Sequence, residues 1–347
     1  TPLQAKPVDL NDARTAQRIE DFVKEQGASL FHRPQWLLAV QAGTGQRAAG
    51  FVVEQNGVIH GWLPVSQVRS VLFGKALISS GFGVGGGICA SDPNAIKALA
   101  DAAEVFAQGH SYTTIELRGG PIPAGWQSWD DKHCGFERDL AADDEAELLA
   151  IPRKARAEVR KGLKNDLEIR IGSGRDDLSA HYAMFSESVH NLGTPVFPKS
   201  LFTAMLEAFP DTSDILTVVS EGQPISSVLS FYHEGAVLPF WGGGTFAARG
   251  KRANERMYYE LMLHARAKGM QSFDFGRSKT GSGPFSFKKN WGFDPEPLTY
   301  GAWHAPGHEP RNIDPTDASY SRKIELWKKL PLPVANTIGP WIARGLA

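Results

Sequence analysis

The chain of 347 residues is too long for one ordinary core and fits two domains. A hydrophobic share of 42% and a charged share of 22% predict packed interiors and exclude bulk disorder. The formal net charge of -1 excludes a whole-protein field toward nucleic acid or an anionic membrane, so any attraction to anions must be local.

Two isolated cysteines, Cys89 and Cys134, fit a reducing compartment better than a disulfide framework, and no Cys/His cluster has zinc spacing. The start lacks a basic-then-apolar leader pattern, and no run of about 18 apolar residues is present. The expectation is a cytoplasmic protein without a metal.

In chain order, residues 49–54 read as a strand and Asn56-Gly57 as a hairpin turn. Residues 60–71 read as strand, and 76–80 begin another that runs into Gly85, Gly86 and Gly87. Asp92 and Pro93 mark a helix start. Ile96, Leu99, Ala100, Ala103 and Phe106 keep helical spacing, and Gly109 closes the helix. A strand over 112–117 ends at Arg118. Residues 140–150 link the halves, and Ile151, Ala155, Val159 and Leu163 predict a helix over 151–167.

The second half repeats this order. Strands are predicted over 215–219 and 225–232, joined by a Glu221-Gly222 turn, and over 236–241, running into Gly242, Gly243 and Gly244. A loop then carries Arg249, Gly250, Lys251 and Arg252. Asn254 caps a helix through Met257, Leu261 and Ala265, and a strand over 272–275 closes the unit before Arg277. The repeat reads either as two generic αβ units or as two GNAT-like folds with mixed sheets, an α/β (α+β) class. In a GNAT-like fold a loop-to-helix turn offers backbone N–H groups to an acyl donor's phosphates. The expected division is 1–145, 146–305 and a C-terminal extension over 306–347, with a polar, Pro-rich surface loop near 304–316.

The candidate chemistry lies in the second half. Arg153, Arg156 and Arg160 sit with Lys154, Lys161 and Lys164 on the junction helix. That run is either a solvated face or an anion site, and Arg suits the latter because its fork binds phosphate oxygens at two points. Arg249, Gly250, Lys251 and Asn254 are the candidate donor-phosphate loop, although Q/R-x-x-G-x-G/A spacing is absent. Asp274 either accepts an amine's proton or pairs Arg277 or Lys279. Lys288 either steadies an oxyanion or belongs to an exposed lysine pair. Glu187, Asn191, Trp241 and Arg277 join the substrate side, and His190 is the histidine with a suitable ordinary pKa. No Ser-His-Asp spacing points to covalent catalysis.

Several stretches carry a resemblance: 31–36, 151–162, 187–198, 273–279 (FDFGRSK), 287–293 (FKKNWGF) and 326–336. Together the chain resembles the FemAB-like proteins associated with the exosortase (PEP-CTERM) system of Gram-negative bacteria. The resemblance implies tandem GNAT-like domains and an acyl- or aminoacyltransferase. It implies aminoacyl-tRNA as donor, the loop over 249–254 keeps acyl-coenzyme A as the alternative donor, and no permanently bound cofactor is expected. The implied acceptor is a phosphate-bearing glycan or lipid-linked precursor. Arg153, Arg156 and Arg160 would take the phosphate role and Lys288 the assisting one. The helical arm of some Fem enzymes is missing, which counts against tRNA. A non-catalytic degenerate pair binding an anionic glycan or a sorting partner is the remaining alternative.

The tail places Ile324, Leu326, Trp327, Leu330, Val334, Ile338, Trp341 and Ile342 among Lys328, Lys329 and Arg344. It reads either as a peripheral membrane-surface segment or as a helix docked on the body. Pro331, Pro333 and Pro340 argue against one long amphipathic helix.

Overall fold

The structure, a computed structural model, describes residues 2–310 and 318–346; residues 311–316 of the expected Pro-rich loop lie outside the described residues. The first half runs β1 (Ala5–Pro7), α1 (Ala13–Glu25), α2 (Pro34–Thr44), β2 (Arg47–Gln55), β3 (Val58–Ser70), β4 (Gly74–Ser79) and β5 (Cys89–Ala90). It continues with α3 (Asn94–Gly109), β6 (Thr114–Arg118), β7 (Gln127–Trp129) and β8 (His133–Asp139). Two linking helices follow, α4 (Asp144–Ala150) and α5 (Arg153–Lys164).

The second half begins with β9 (Glu168–Gly172), α6 (Arg175–Asn191), α7 (Lys199–Ala208), β10 (Ser213–Ser220), β11 (Gln223–His233) and β12 (Ala236–Gly244). Then come α8 (Phe246–Lys251), α9 (Ala253–Ala267), β13 (Ser272–Lys279), α10 (Gly283–Asn290), β14 (Glu296–Pro297) and β15 (Tyr300–His304). The tail forms α11 (Ala318–Lys328) and α12 (Leu332–Ala343).

Turn chemistry explains the meanders. Asn56-Gly57, Glu221-Gly222 and Glu234-Gly235 all hold positive φ at both central residues, the two-residue hairpin geometry that matches strand twist. The two sheets then repeat one plan, β1-β2-β3-β4-β6 and β9-β10-β11-β12-β13, each with one parallel step made by a crossover helix. The halves are therefore like-ordered αβ units.

The sheets also exchange strands. β8, from the first half, pairs antiparallel with β13, and β15, from the end of the second half, pairs antiparallel with β6. β14 and β7 complete the two edges beside them. A division at 145/146 therefore does not follow the sheets: residues 133–139 belong to the second and 300–304 to the first.

Aromatic packing fixes the junction. Trp36 stacks on Trp241 at 6.1 Å, and Phe202 meets Trp241 edge-on at 5.0 Å. Trp241 is thus buried in the core between the halves, which corrects its assignment to the substrate wall. The tail is a docked helix in its last part: Gly339 packs on Val196 of the second half, and the Arg344 carbonyl accepts from Gln46 Nε2 of the first at 2.6 Å. Pro331 caps α12 and so separates it from α11.

Candidate active site

The two parallel steps differ. In the first half, β4 and β6 stay paired from Ala76↔Thr114 to Ser79↔Leu117. In the second, β12 and β13 pair only at Ala236↔Ser272 and Val237↔Phe273. A bulge follows, with Leu229 opposite Trp241 and Ser230 opposite Pro239, so Phe240 is the extra residue. Beyond it β12 keeps to β11 and β13 keeps to β8, which opens a cleft between Leu238–Gly244 and Asp274–Lys279.

One wall carries the small strand end Gly242–Gly244. A side chain at Gly243 would meet Ser188 Oγ of α6 at 2.8 Å, and one at Gly242 would meet the Tyr258 hydroxyl of α9 at 3.1 Å. Burial pushes the Tyr258 phenol up to about 12. The other wall is β13. There Asp274 Oδ1 accepts from the Gly276 amide at 2.9 Å. Burial raises the Asp274 carboxyl to about 6, against the pull of the Gly276 amide and the Lys288 charge.

Lys288, on α10, lies over the rings of Phe275 at 5.4 Å and Phe136 at 5.6 Å and donates to the Arg277 carbonyl at 3.3 Å. Burial lowers its ammonium to about 8, Asp274 opposes that shift, and Arg277 adds to it. Each of the expected catalytic residues thus feels the charge of the other. Arg277 itself donates to the Tyr300 hydroxyl at 3.2 Å, and that hydroxyl donates to the Val84 carbonyl at 2.6 Å, so the site edge is tied to the first half.

Three residues of this neighbourhood escape sequence reasoning. His133 arrives on the exchanged strand β8, 5.7 Å from the Tyr300 ring; burial, then the Arg277 charge, lower its imidazole to about 4. Long-range pairing leaves no local signal for it. Tyr258 follows Asn254 by four residues, so the helical period did carry a signal, one that reads equally well as core. Ser188 is adjacent to Glu187 and lacks a distinguishing pattern.

The other candidates scatter. Glu187 is half-buried and Asn191 exposed on α6, which crosses β11 and β12. His190 is buried and tied to the Leu330 carbonyl at 2.9 Å, a strut to the tail and not a base. Arg249, Gly250 and Lys251 lie in the short helix α8, not in a loop. The cap of α9 is Arg252, in the left-handed region at φ 55°, and not Asn254. Asn254 Oδ1 instead accepts from Ser226 Oγ at 2.6 Å, since its position one residue inside the helix turns it toward β11. Burial pushes the Cys89 thiol up to about 11, which leaves no reactive thiolate there.

On α5, Ala155, Val159 and Gly162 form the buried face and Arg153 and Arg160 are exposed. Arg156 is half-buried, and its Nε donates to the Ile151 carbonyl at 3.0 Å. Glu158 is held by Lys161 at 2.7 Å and by Arg252, so part of the basic run is compensated.

Residues 152–289 match the acetyltransferase (GNAT) domain family. Its borders enclose α5, the splayed strands, α9 and Lys288. The fold is a tandem GNAT-like fold. FemX is similar over 85% of this chain and 96% of its own, with a TM-score of 0.64 at 15% identity. A tandem GNAT protein from the clavulanic acid biosynthesis pathway is similar over 88% of this chain and 100% of its own, with a TM-score of 0.58 at 12% identity. The C-terminal domain of a putative lysylphosphatidylglycerol synthetase from Agrobacterium fabrum is similar over 84% of this chain and 93% of its own, with a TM-score of 0.55 at 13% identity. No curated protein sequence matches the chain. The GNAT match lies in the half whose parallel strands separate, and the tandem arrangement accounts for the repeated sheet plan.

Proposed function

We propose that the second half transfers an acyl group from acyl-coenzyme A to an amine on a phosphate-bearing acceptor. The observation that carries the reading is the Asp274–Lys288 pair at the splayed strands, with a carboxyl raised to about 6 and an ammonium lowered to about 8. Near neutral pH the carboxylate is mostly ionised and the ammonium mostly charged, which are the states of a base and an oxyanion donor.

The acceptor nitrogen attacks the donor carbonyl and forms the new C–N bond. Lys288 steadies the oxyanion while the proton passes from nitrogen to Asp274. The C–S bond of the thioester then breaks, and the thiolate leaves with a proton as free coenzyme A. Arg249 and Lys251 on α8, the connection between β12 and α9, would take the donor's phosphates. Arg153 and Arg160 take the acceptor's phosphates, with Arg156 holding the start of α5.

The resemblance to exosortase-associated proteins supports a cell-envelope or exopolysaccharide precursor as acceptor, met at the cytoplasmic face of the inner membrane. Aminoacyl-tRNA is the alternative donor, implied only by the sequence resemblance to the FemAB-like proteins. The test is a donor screen: purified protein with acyl-coenzyme A or charged tRNA and a panel of amines. Thiol release that depends on an amine supports the coenzyme A reading; amine-dependent deacylation of tRNA replaces it. An inert protein with both donors overturns acyl transfer.

A further inference from the structure

Outside the cleft, the most exposed large apolar side chain of the described residues is Val71, at 95%, with Leu72 beside it at 55%. Both occupy the tip of the β3–β4 hairpin, between Arg69 and Lys75. A loop tip normally carries polar turn residues, and the acyl-transfer site makes no use of this one.

The tail supplies a second apolar element. On α12, Val334, Ile338 and Trp341 are exposed at 41%, 40% and 60%. Their spacing of four and three residues puts them on one helix face. The two elements meet. Gly345 packs against Ser70 and Phe73 of the hairpin, and a cavity of about 290 Å3 lies between hairpin and helix end. Trp341, Val71 and Leu72 line it together with Arg47, Arg69 and Arg344, and no Asp or Glu does.

The charge is one-signed over both sequences. No acidic residue occurs between Glu54 and Asp92, or after Glu325, whereas the chain as a whole is close to neutral. Arg69 is braced by the Tyr112 hydroxyl at 2.8 Å, and Arg47 and Arg344 are exposed. An exposed apolar ridge with arginines at its base has the chemistry of the membrane interface: apolar groups enter the acyl boundary and cations meet lipid phosphates. No helix among the described residues is long and apolar enough to cross a membrane, so the contact is peripheral.

We propose that the hairpin tip and α12 form one docking face for an anionic phospholipid bilayer, with a lipid phosphate held in the arginine-lined cavity. The inference is independent of the transfer reaction, and its test contains no acyl donor. Full-length protein is floated with vesicles of phosphatidylglycerol and phosphatidylcholine in equal parts, and with phosphatidylcholine alone.

Binding to the anionic vesicles is expected, with loss at salt of about 0.5 M. Val71→Asp with Leu72→Asp should reduce it about tenfold or more, and Arg47→Ala and Arg344→Ala about fivefold each. Melting temperature should hold in every variant, because these side chains are exposed. Trp341→Phe should retain most of the binding and Trp341→Asp should not. No binding, equal binding to both vesicle types, or full binding by the hairpin variant would overturn the proposal. A salt-insensitive dimer that the hairpin variant splits, without vesicle binding, would instead make this face a contact between copies.

Discussion

The first half places Glu116 where the second places Asp274, since each lies two residues beyond the first residue of its parallel step. Their surroundings differ. Glu116 accepts from Arg118 at 3.4 Å, and Arg118 also donates to the Gly83 carbonyl at 2.9 Å. The glycine-rich loop over 80–88 is folded onto this end of the sheet, held by Arg118, by Trp36 through the Gly81 carbonyl at 2.9 Å, and by Tyr300 through Val84. In the second half the strands separate instead, and Asp274 feels Lys288, an ammonium that its neighbours keep partly desolvated. One sheet plan thus yields a braced support and an open cleft, according to whether the parallel step stays paired.

The comparison breaks most visibly at Lys288. Lys288→Ala is expected to lower kcat/KM by about 100- to 1,000-fold, the usual cost of losing an oxyanion donor. Its melting curve should be unchanged or shifted up, because a partly desolvated charge is removed. Equal turnover in the variant would move the chemistry elsewhere.

Gly87 tests the closed half. A side chain there would run into the Gly119 carbonyl, so Gly87→Ala should cost roughly 3 kcal/mol, read from denaturant unfolding. Gly250 meets nothing within 4 Å, and Gly250→Ala inside α8 should be neutral or slightly stabilising. A silent Gly87→Ala would show that the loop is not held by this approach.

The basic helix sharpens the substrate side. Replacing Arg153 and Arg160 by Ala should raise KM for a phosphate-bearing acceptor about tenfold and leave melting unchanged. Lys at both positions should recover part of the loss, because Lys lacks the planar fork. An unchanged KM would make the run a solvated face.

The smallest effect is the shape of the pH profile. Activity should rise near pH 6 as Asp274 ionises and fall near pH 8 as Lys288 loses its proton. Lys288→Arg should move the upper limb beyond the measured range. The sign for stability is opposite on the carboxyl: its folded value of about 6 exceeds the ordinary 3.8, so stability falls as pH rises between them and stays lower above. Asp274→Asn should therefore raise the melting temperature near pH 7.

Legibility followed range. The turns at Asn56-Gly57 and Glu221-Gly222 were readable because each closes on a Gly, which takes the positive φ of the second central residue without steric cost. The shared strand and helix order was readable from period. The strand exchange was not, because β8 pairs β13 across more than a hundred residues and an edge strand looks alike in either sheet. Asp274 and Lys288 stood out as candidates through FDFGRSK and FKKNWGF, and burial on the folded sheet accounts for the direction of their shifts. The loop reading of Arg249–Lys251 failed because Gly250 is tolerated inside a short helix. Trp241 misled because its burial depends on Trp36 and Phe202, partners on other elements.

The central claim, that the open half alone performs acyl transfer, is tested by comparing Asp274→Asn with Glu116→Gln in one transfer assay. With the donor and amine that the screen selects, Asp274→Asn should lose about 100-fold or more in kcat while Glu116→Gln stays within about twofold of the parent. Equal losses in both variants, or a loss confined to Glu116→Gln, would contradict the assignment of the cleft to the second half.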